Sequence, residues 1–510
     1  LSRALALAVP LLVLGAFARE VARYDFLSDD CFIAFRYARN LAEGQGLVWN
    51  AGERVEGYTN FLWVLSLAGG IRAGAAPETL SRALGVASGL LVLLVAAWLS
   101  AQHRSWRDPW IWAAPAALAL NRSFAAWSSG GLETQAFTLW VLAGYALLAR
   151  EHARGGAAWS APVLAVATLT RPEGALFFGI AAAFRLADVR LGRLAPRRLA
   201  LWAALYVLPV AAHLLWRHGY YGAWLPNTFY AKVPGLHWSR GLEYLALFQR
   251  DYQAVWLLAL GVALAARRRR FVELLFATAV AAFGVYVAAI GGDRFDFRML
   301  VPILPQLYWL AVESLLAAAA SVRPKQLGAA GAVVMIGGLL LVTRRGSRGD
   351  ESAAGRGPIE SVQETAGYAR GRIEQGLFLR SLVERGLLPP DLRIAVSGAG
   401  AVPYYTRFYT VDRLGLNDAT IARLPVPRRG LPGHEREAAW SHLVAKRVAL
   451  NDAFNRIVFG GDAERLPAHV KQSGLPNLRC LQAEGRTLLF TTTLDDRHFE
   501  RTFHALARCP

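Results

Sequence analysis

Two adjacent carboxylates, Asp29 and Asp30, follow Ser28 at the head of the run Cys31-Phe32-Ile33-Ala34-Phe35-Arg36-Tyr37-Ala38-Arg39-Asn40. Phe32, Phe35 and Ala38 recur at helical spacing, with Ser28 placed as an N-cap and the aspartates in the first turn. That pattern predicts a short helix lying along a membrane surface. Acids at a helix start favour the dipole and need no chemical role. An adjacent pair at an interface also perturbs its own protonation and can serve as a base or orient an acceptor hydroxyl. The same island runs on through Trp49 and Asn50 to Glu56, Tyr58 and Asn60.

Four further polar islands interrupt apolar sequence. Gly130-Gly131-Leu132-Glu133 places an acid at the mouth of a run, as a helix-start charge or a pocket acid. Thr170-Arg171-Pro172-Glu173-Gly174 sets two ionisable groups inside an apolar stretch, where they mark function or pair structurally at a helix break. Residues 220–232 combine Trp224, Asn227 and Tyr230 with Lys232. These suit either an interfacial aromatic belt or a sugar face stacked on an aromatic, with a lysine for phosphate. Residues 291–298 carry Asp293, Arg294, Asp296 and Arg298, and arginine forks grip phosphate oxygens.

The elements that must position these islands are membrane helices. The chain is 55% hydrophobic and 18% charged over 510 residues, outside the usual range of soluble enzymes. Apolar runs long enough to approach a bilayer span cover 4–17, 80–100, 110–120, 132–148, 161–187, 199–215, 254–266, 271–290, 299–320 and 328–343. A further run, 60–75, is broken by Gly69, Gly70 and Arg72 and can lie in the interface. The run 4–17 is short and lacks a clear small-x-small cleavage site, so it reads as a first helix rather than a signal peptide. The expected class is an α-helical polytopic membrane protein with about 10–12 transmembrane helices.

The net charge of +19 does not point to nucleic acid, because no basic, aromatic-studded groove is visible. The arginines cluster instead at Arg190, Arg193, Arg197 and Arg198, and at 267–270, between apolar runs. That is the positive-inside pattern. With both clusters in the cytoplasm, the chain alternates so that 216–253, 291–298 and everything after 343 are external. Arg344, Arg345 and Arg348 run against this map.

The tail, 344–510, reads as a small α/β soluble domain, with strands at 393–396 and 408–411 and a helix at 435–448. Cys480 and Cys509 fall in it; they pair in an oxidising compartment or are a coincidence. Ser397-Gly398-Ala399-Gly400-Ala401-Val402-Pro403 looks like a dinucleotide turn without its third glycine, and Pro403 disfavours the following helix. His434-Glu435-Arg436-Glu437 looks like a zincin start, but Ala438 stands where the second histidine belongs. Neither a metal nor a nicotinamide site is expected.

Asp29-Asp30 through Asn40, then Gly44-x-Gly46-Leu47-Val48 and Glu53-Arg54-Val55-Glu56-Gly57-Tyr58-Thr59-Asn60, resemble the terminal β-1,2-arabinofuranosyltransferases of actinobacterial cell walls. These belong to the GT-C superfamily of polyprenyl-phosphate-sugar glycosyltransferases. Residues 170–174, 225–232 and 291–293, and the tail's Asp412-Arg413-Leu414-Gly415-Leu416-Asn417-Asp418, look like later blocks of that family in order. Cys31 departs from it, since a small residue such as alanine is expected there.

The resemblance implies a membrane-embedded catalytic domain over 1–343 with its first external loop at 20–58, and an extracytoplasmic domain over 344–510. Asp29 matches the GT-C acidic position, with Asp30 as neighbour and possible substitute. The donor would be a polyprenyl-phosphate sugar and the acceptor a cell-envelope glycan, at the bacterial plasma membrane and with no cofactor. Arg171, Lys232, Arg294 and Arg298 are the candidates for the departing phosphate. Glu56, Tyr58, Asn60, Glu133, Glu173, Trp224, Asn227, Tyr230 and Asp293 are those for sugar or acceptor. A GT-C transferase for another lipid-linked sugar such as a hexose, or a lipid-linked-sugar transporter, remains open. Transporters tend to show repeated halves and midplane polar sites; neither is visible in this sequence.

The arginine map has a direct test. A reporter active only outside the cytoplasm, fused after Pro510, should be active; activity of a cytoplasm-only reporter there would overturn the map.

Overall fold

A computed structural model describes residues 3–155, 158–232, 235–348, 359–386, 390–426, 430–431 and 433–448, and beyond these the backbone of five strands between 450 and 491. The N-terminal helices are α1 (Arg3–Arg23), α2 (Cys31–Ala42), α3 (Phe61–Arg72), α4 (Pro77–Ala101), α5 (Ala113–Leu120), α6 (Arg122–Ser129), α7 (Thr134–Arg154), α8 (Ser160–Thr170) and α9 (Gly174–Arg190). There follow α10 (Pro196–Tyr221), α11 (Asn227–Lys232), α12 (Trp238–Tyr252), α13 (Ala254–Arg268), α14 (Phe271–Ile290), α15 (Leu304–Ala320) and α16 (Lys325–Arg348). The tail adds α17 (Val362–Glu384), α18 (Ala401–Thr406) and α19 (Trp440–Ala445).

The chain is a multi-pass membrane protein. Among the described residues, α4, α10, α14, α15 with its leading turn, and α16 are each long and apolar enough to cross a bilayer. The pair α6–α7 is long and apolar enough only when taken together and is bent by 116°, the geometry of a broken span or a re-entrant loop. The run 4–17 lies in the 21-residue α1, and shorter apolar helices include α3 and α8. The run 161–187 divides at Arg171 and Pro172, because proline cannot accept a preceding helical residue and Arg171 is extended (φ −150°, ψ 137°). On α10, Leu201, Leu205, Leu208 and Leu215 are exposed, as a lipid-facing surface requires.

In the tail, a capping box starts α17: Ser361 Oγ accepts from Glu364 N (3.1 Å) and Glu364 Oε2 accepts from Ser361 N (2.8 Å). Strand β1 (Arg393–Val396) pairs in parallel with β2 (Tyr409–Asp412) on one side and β3 (Leu450–Ala453) on the other. Antiparallel β4 (Arg456–Phe459), β7 (Arg486–Thr491), β6 (Leu478–Ala483) and β5 (Lys471–Gln472) extend the sheet to seven strands in the order β2-β1-β3-β4-β7-β6-β5. Cys509 lies outside the described residues, and of Cys480 only the backbone in β6 is described.

Several local expectations change. Ser28 is not a side-chain cap: its hydroxyl donates to the Gly130 carbonyl (3.1 Å), and Asp30 occupies the N-cap position of α2 without a side-chain cap bond. The helix expected at 435–448 shrinks to α19, because the backbone ahead of it is drawn onto β2's exit, with Ala438 N donating to Arg413 O (2.9 Å). Pro403 does not block a helix; it sits in the first turn of α18, where no intrahelical donor is needed.

The largest change concerns α2. It does not lie free on a membrane surface, since Cys31 through Ala38 are all buried. The tail covers it. Arg36, 3% exposed, donates from Nε to Trp49 O (2.7 Å), from Nη1 to Pro403 O (2.7 Å) and from Nη2 to Phe408 O (2.8 Å) and Asn50 Oδ1 (3.0 Å). Arg39 Nη1 donates to Tyr404 O (2.7 Å). The first loop and the tail therefore share one face of the membrane body.

Arg36→Met keeps the stem but orphans several buried carbonyls, at about 1–3 kcal/mol each. The purified variant should melt at least about 5 °C below wild type, and Arg36→Lys should restore only part of the loss. An unchanged melting temperature for Arg36→Met would show that the tail docks without it.

Candidate functional site

The two aspartates, adjacent in sequence, face different neighbours. Asp29 is 4% exposed, and its Oδ1 accepts a hydrogen bond from Ala401 N (2.9 Å) at the start of α18. The glycine-rich turn before α18 is shaped for this approach. A Cβ on Gly400 would lie 1.9 Å from Asp29 O and 2.6 Å from its carboxyl carbon. Burial raises the Asp29 pKa, opposed by Arg372 and the Ala401 N–H, and the Asp30 charge raises it further.

Asp30 faces cations. Its Oδ1 accepts from Arg294 Nη2 (3.0 Å), and its side chain is 24% exposed. Burial alone would raise its pKa, but Arg294, Lys232, Arg298 and His434 together outweigh it and hold Asp30 below its ordinary range. One carboxylate is thus biased toward carrying a proton and its neighbour toward staying ionised.

The 291–298 loop supplies two of these cations. Asp293 Oδ2 pairs with Arg298 (2.8 Å), its Oδ1 accepts from Arg294 N (2.8 Å), and burial of Asp293 is outweighed by Arg298, which holds its pKa low. Beneath the loop, Arg122 and Ser123 at the start of α6 bind Asp296 (2.6 and 2.7 Å), and Trp127 Nε1 donates to its carbonyl (2.8 Å). Lys232, at the end of α11, has neither an ion pair nor a hydrogen bond among the described residues. Burial depresses its pKa, with Asp30 opposing.

Arg171 stands elsewhere. It bridges Glu133 (Nη1 to Oε1, 2.6 Å) and Glu173 (Nη2 to Oε1, 2.7 Å), and Glu133 accepts from Asn60 Nδ2 (2.7 Å). This chain joins α3, α7 and the α8–α9 break. Arg171 and Glu173 share a narrow cleft with Arg298, Thr134 and Phe137, so the chain abuts the cationic cluster through Arg298.

The remaining candidates make other contacts. Glu56 pairs with Arg217 of α10 (2.8 Å), and burial, opposed by Arg217, pushes its pKa up to about 7. The Tyr58 hydroxyl meets that of Tyr221 (3.2 Å). Asn227 Nδ2 donates to the tail carbonyls of Gly415 (2.8 Å) and Leu416 (2.9 Å). Trp224 is exposed and stacks on His218 at 4.1 Å, and Tyr230 lies under Arg423. The sequence reading assigned no role to Arg36, Arg122 or Arg217. Their partners lie far away in the chain, so no local spacing marks them; Asp296 is 174 residues from Arg122. No group of three or more His, Cys, Asp or Glu placed to hold a metal ion occurs among the described residues.

Comparison with known proteins follows the same lines. The structure superposes on ArnT from Cupriavidus metallidurans bound to undecaprenyl phosphate with a TM-score of 0.59 and 14% identity, covering 97% of this chain and 99% of that one. The chain shares the ArnT fold. The apo ArnT structure gives a TM-score of 0.57 over 96% of this chain. In sequence, the chain is 32% identical over 269 residues to a terminal β-(1→2)-arabinofuranosyltransferase of Mycobacterium tuberculosis, covering 48% of this chain and 42% of that protein. It is 30% identical over 326 residues to the protein of the same name from Corynebacterium glutamicum, covering 54% and 46%. The matched region spans less than half the length of either relative. A family model described as a domain of unknown function (DUF8728) matches residues 364–473. The likeness to terminal arabinofuranosyltransferases expected from the first island is therefore present in sequence, and the fold is shared with ArnT.

The Arg171 bridge has a stability test. Arg171→Gln leaves two buried carboxylates facing each other, a change that typically costs about 3–5 kcal/mol. A marked loss of melting temperature is expected, with partial recovery in Arg171→Gln/Glu173→Gln; a wild-type melting curve for the single variant would make the bridge dispensable for folding.

Proposed function

We propose that the chain is a membrane glycosyltransferase that moves a sugar, arabinofuranose by its likeness to the curated relatives, from a polyprenyl-phosphate donor to a cell-envelope glycan on the external face. In this reading residues 1–343 form the catalytic membrane domain and 344–510 an extracytoplasmic domain. The observation that carries it is the split environment of Asp29 and Asp30 beside Lys232, Arg294 and Arg298. Two carboxylates with proton affinities pushed apart mark a division between a proton acceptor and a fixed charge.

Asp29 is the base. Its Oδ1 is held by Ala401 N–H, which fixes the rotamer, and its raised pKa strengthens its grip on a proton. The acceptor hydroxyl gives its proton to Asp29 as its oxygen bonds to the anomeric carbon. The bond from that carbon to the phosphate oxygen breaks, and the polyprenyl phosphate leaves with the electron pair. Lys232, Arg294 and Arg298 lie where that developing negative charge is stabilised. Asp30 stays ionised and orients Arg294. Lys232, with no carboxylate partner of its own, is the cation most available to the phosphate. The Asn60–Glu133–Arg171–Glu173 chain borders the same cleft and presents carboxylate acceptors for sugar hydroxyls.

Transfer from labelled polyprenyl-phosphate sugars to an arabinan or other glycan acceptor, run over a panel of donors, tests the reading and names the sugar. Asp29→Asn should fold normally and lose on the order of a hundredfold or more in rate. The base must be deprotonated, so the rate should rise with pH through a pKa above the ordinary aspartate range. In Asp30→Asn the neighbouring negative charge is gone, so the Asp29 pKa falls and the acidic limb of the residual activity moves to lower pH. Full activity in Asp29→Asn, or an acidic limb that Asp30→Asn leaves in place, would sink this assignment.

A further inference from the structure

The tail run His434-Glu435-Arg436-Glu437 lacks the second histidine of a zinc site, yet it lies beside the candidate phosphate cluster. Gly433 adopts φ +81° against the Lys232 stem; a Cβ there would lie 3.1 Å from Lys232 Cγ and 3.3 Å from Cε. Arg436 Nη1 donates to Ala231 O (2.8 Å), the carbonyl just before Lys232, while its Nε donates to Leu424 O (2.7 Å). Glu435 is buried, and its Oε1 accepts from Gly430 N (3.0 Å), which braces the segment from within.

The physics of α11 makes this contact consequential. A six-residue helix cannot hold itself, and its last carbonyls have no donor of their own. Arg436 supplies a charged donor to one of them, so the end of α11 from which Lys232 projects is set by the tail. On the other side of α11, Arg423 Nη1 reaches Asn227 Oδ1 (3.3 Å) and its guanidinium covers Tyr230. Lys232 is thus walled by tail residues, while its charge acts on Asp30 and Asp293 of the membrane body.

We propose that the tail segment 433–437 is one wall of the site for a lipid-linked phosphate, with Arg436 as the positioning residue that aims Lys232. This deepens the transferase reading and rests on it. It gives part of a domain of unknown function a role in the reaction centre.

The test uses the full-length purified protein and a polyprenyl phosphate in detergent micelles as probe, with donor KM and kcat measured in parallel. Wild type should bind the probe, and Lys232→Gln should bind it about tenfold more weakly. Arg436→Gln should weaken binding and raise donor KM by a similar factor, with acceptor KM and melting temperature near wild type and partial rescue in Arg436→Lys. If Lys232→Gln binds weakly while Arg436→Gln binds as wild type does, the wall is overturned and the transferase reading stands. If wild type does not bind the probe, the reading of the cluster as a phosphate site falls, and this inference with it.

Discussion

Arg36 brings a full charge into a place where no carboxylate of the described residues meets it, and the arrangement of the site depends on how that charge is satisfied. Its guanidinium is spent on backbone carbonyls and one amide, two of the carbonyls belonging to the tail. Burying a guanidinium this way costs several kcal/mol unless every donor is occupied. The tail carbonyls would in turn be orphaned if α2 withdrew. The tail is therefore locked on α2, and with it the α18 N-terminus that receives Asp29. Asp30, one residue on, is left on the side of the membrane loops. A single docking event sorts two adjacent aspartates into opposite environments.

The polar islands were legible because ionisable groups inside apolar sequence are expensive and must be compensated. A break at Arg171-Pro172 was one of two open readings of the run 161–187, which proline's steric demand on the residue before it decides, and the strands at 393–396 and near 408–411 followed from their apolar runs. What the residues could not show was pairing. For Arg171 a phosphate contact and a structural pair with Glu173 were both open from sequence; the structure shows that pair and adds Glu133 from the start of another helix. Arg36 and Arg39 drew no role from the sequence, because the tail carbonyls they meet lie some 365 residues away. The helix at 435–448 had a fair local pattern and lost most of its length to tertiary bonds with Arg413 and α11.

The sequence blocks that resemble arabinofuranosyltransferases also lie largely along one seam. Asn227, in the fourth island, donates to the carbonyls of Gly415 and Leu416 in the tail block. That block folds on itself through Asp412, which accepts from Leu414 N, Asn417 N and Asn417 Nδ2. Burial, opposed by these bonds, pushes the Asp412 pKa up to about 6. Residue types that look like a catalytic signature in one dimension are in part the groups that fasten two halves together. A catalytic role and a fastening role are not exclusive: the proposed base, Asp29, is also a contact between the first loop and the tail.

The seam also orders the chemistry. Asp29 takes its orientation from the tail, whereas Asp30, Arg294, Arg298 and Asp293 take theirs from the first loop and the 291–298 loop. Lys232 sits where both meet, on a helix too short to stand alone. A group that accepts a proton from an incoming hydroxyl and groups that steady a departing phosphate must act within one transition state, so their relative placement matters more than either position alone. Here that relative placement is set by how the tail lies on α2 and α11. A substitution at the seam, far from any reacting atom, would move the base with respect to the cations while leaving each set internally intact. In the proposed mechanism, contacts such as Arg36 with Pro403 and Arg436 with Ala231 therefore bear on the function of the site as well as on its stability.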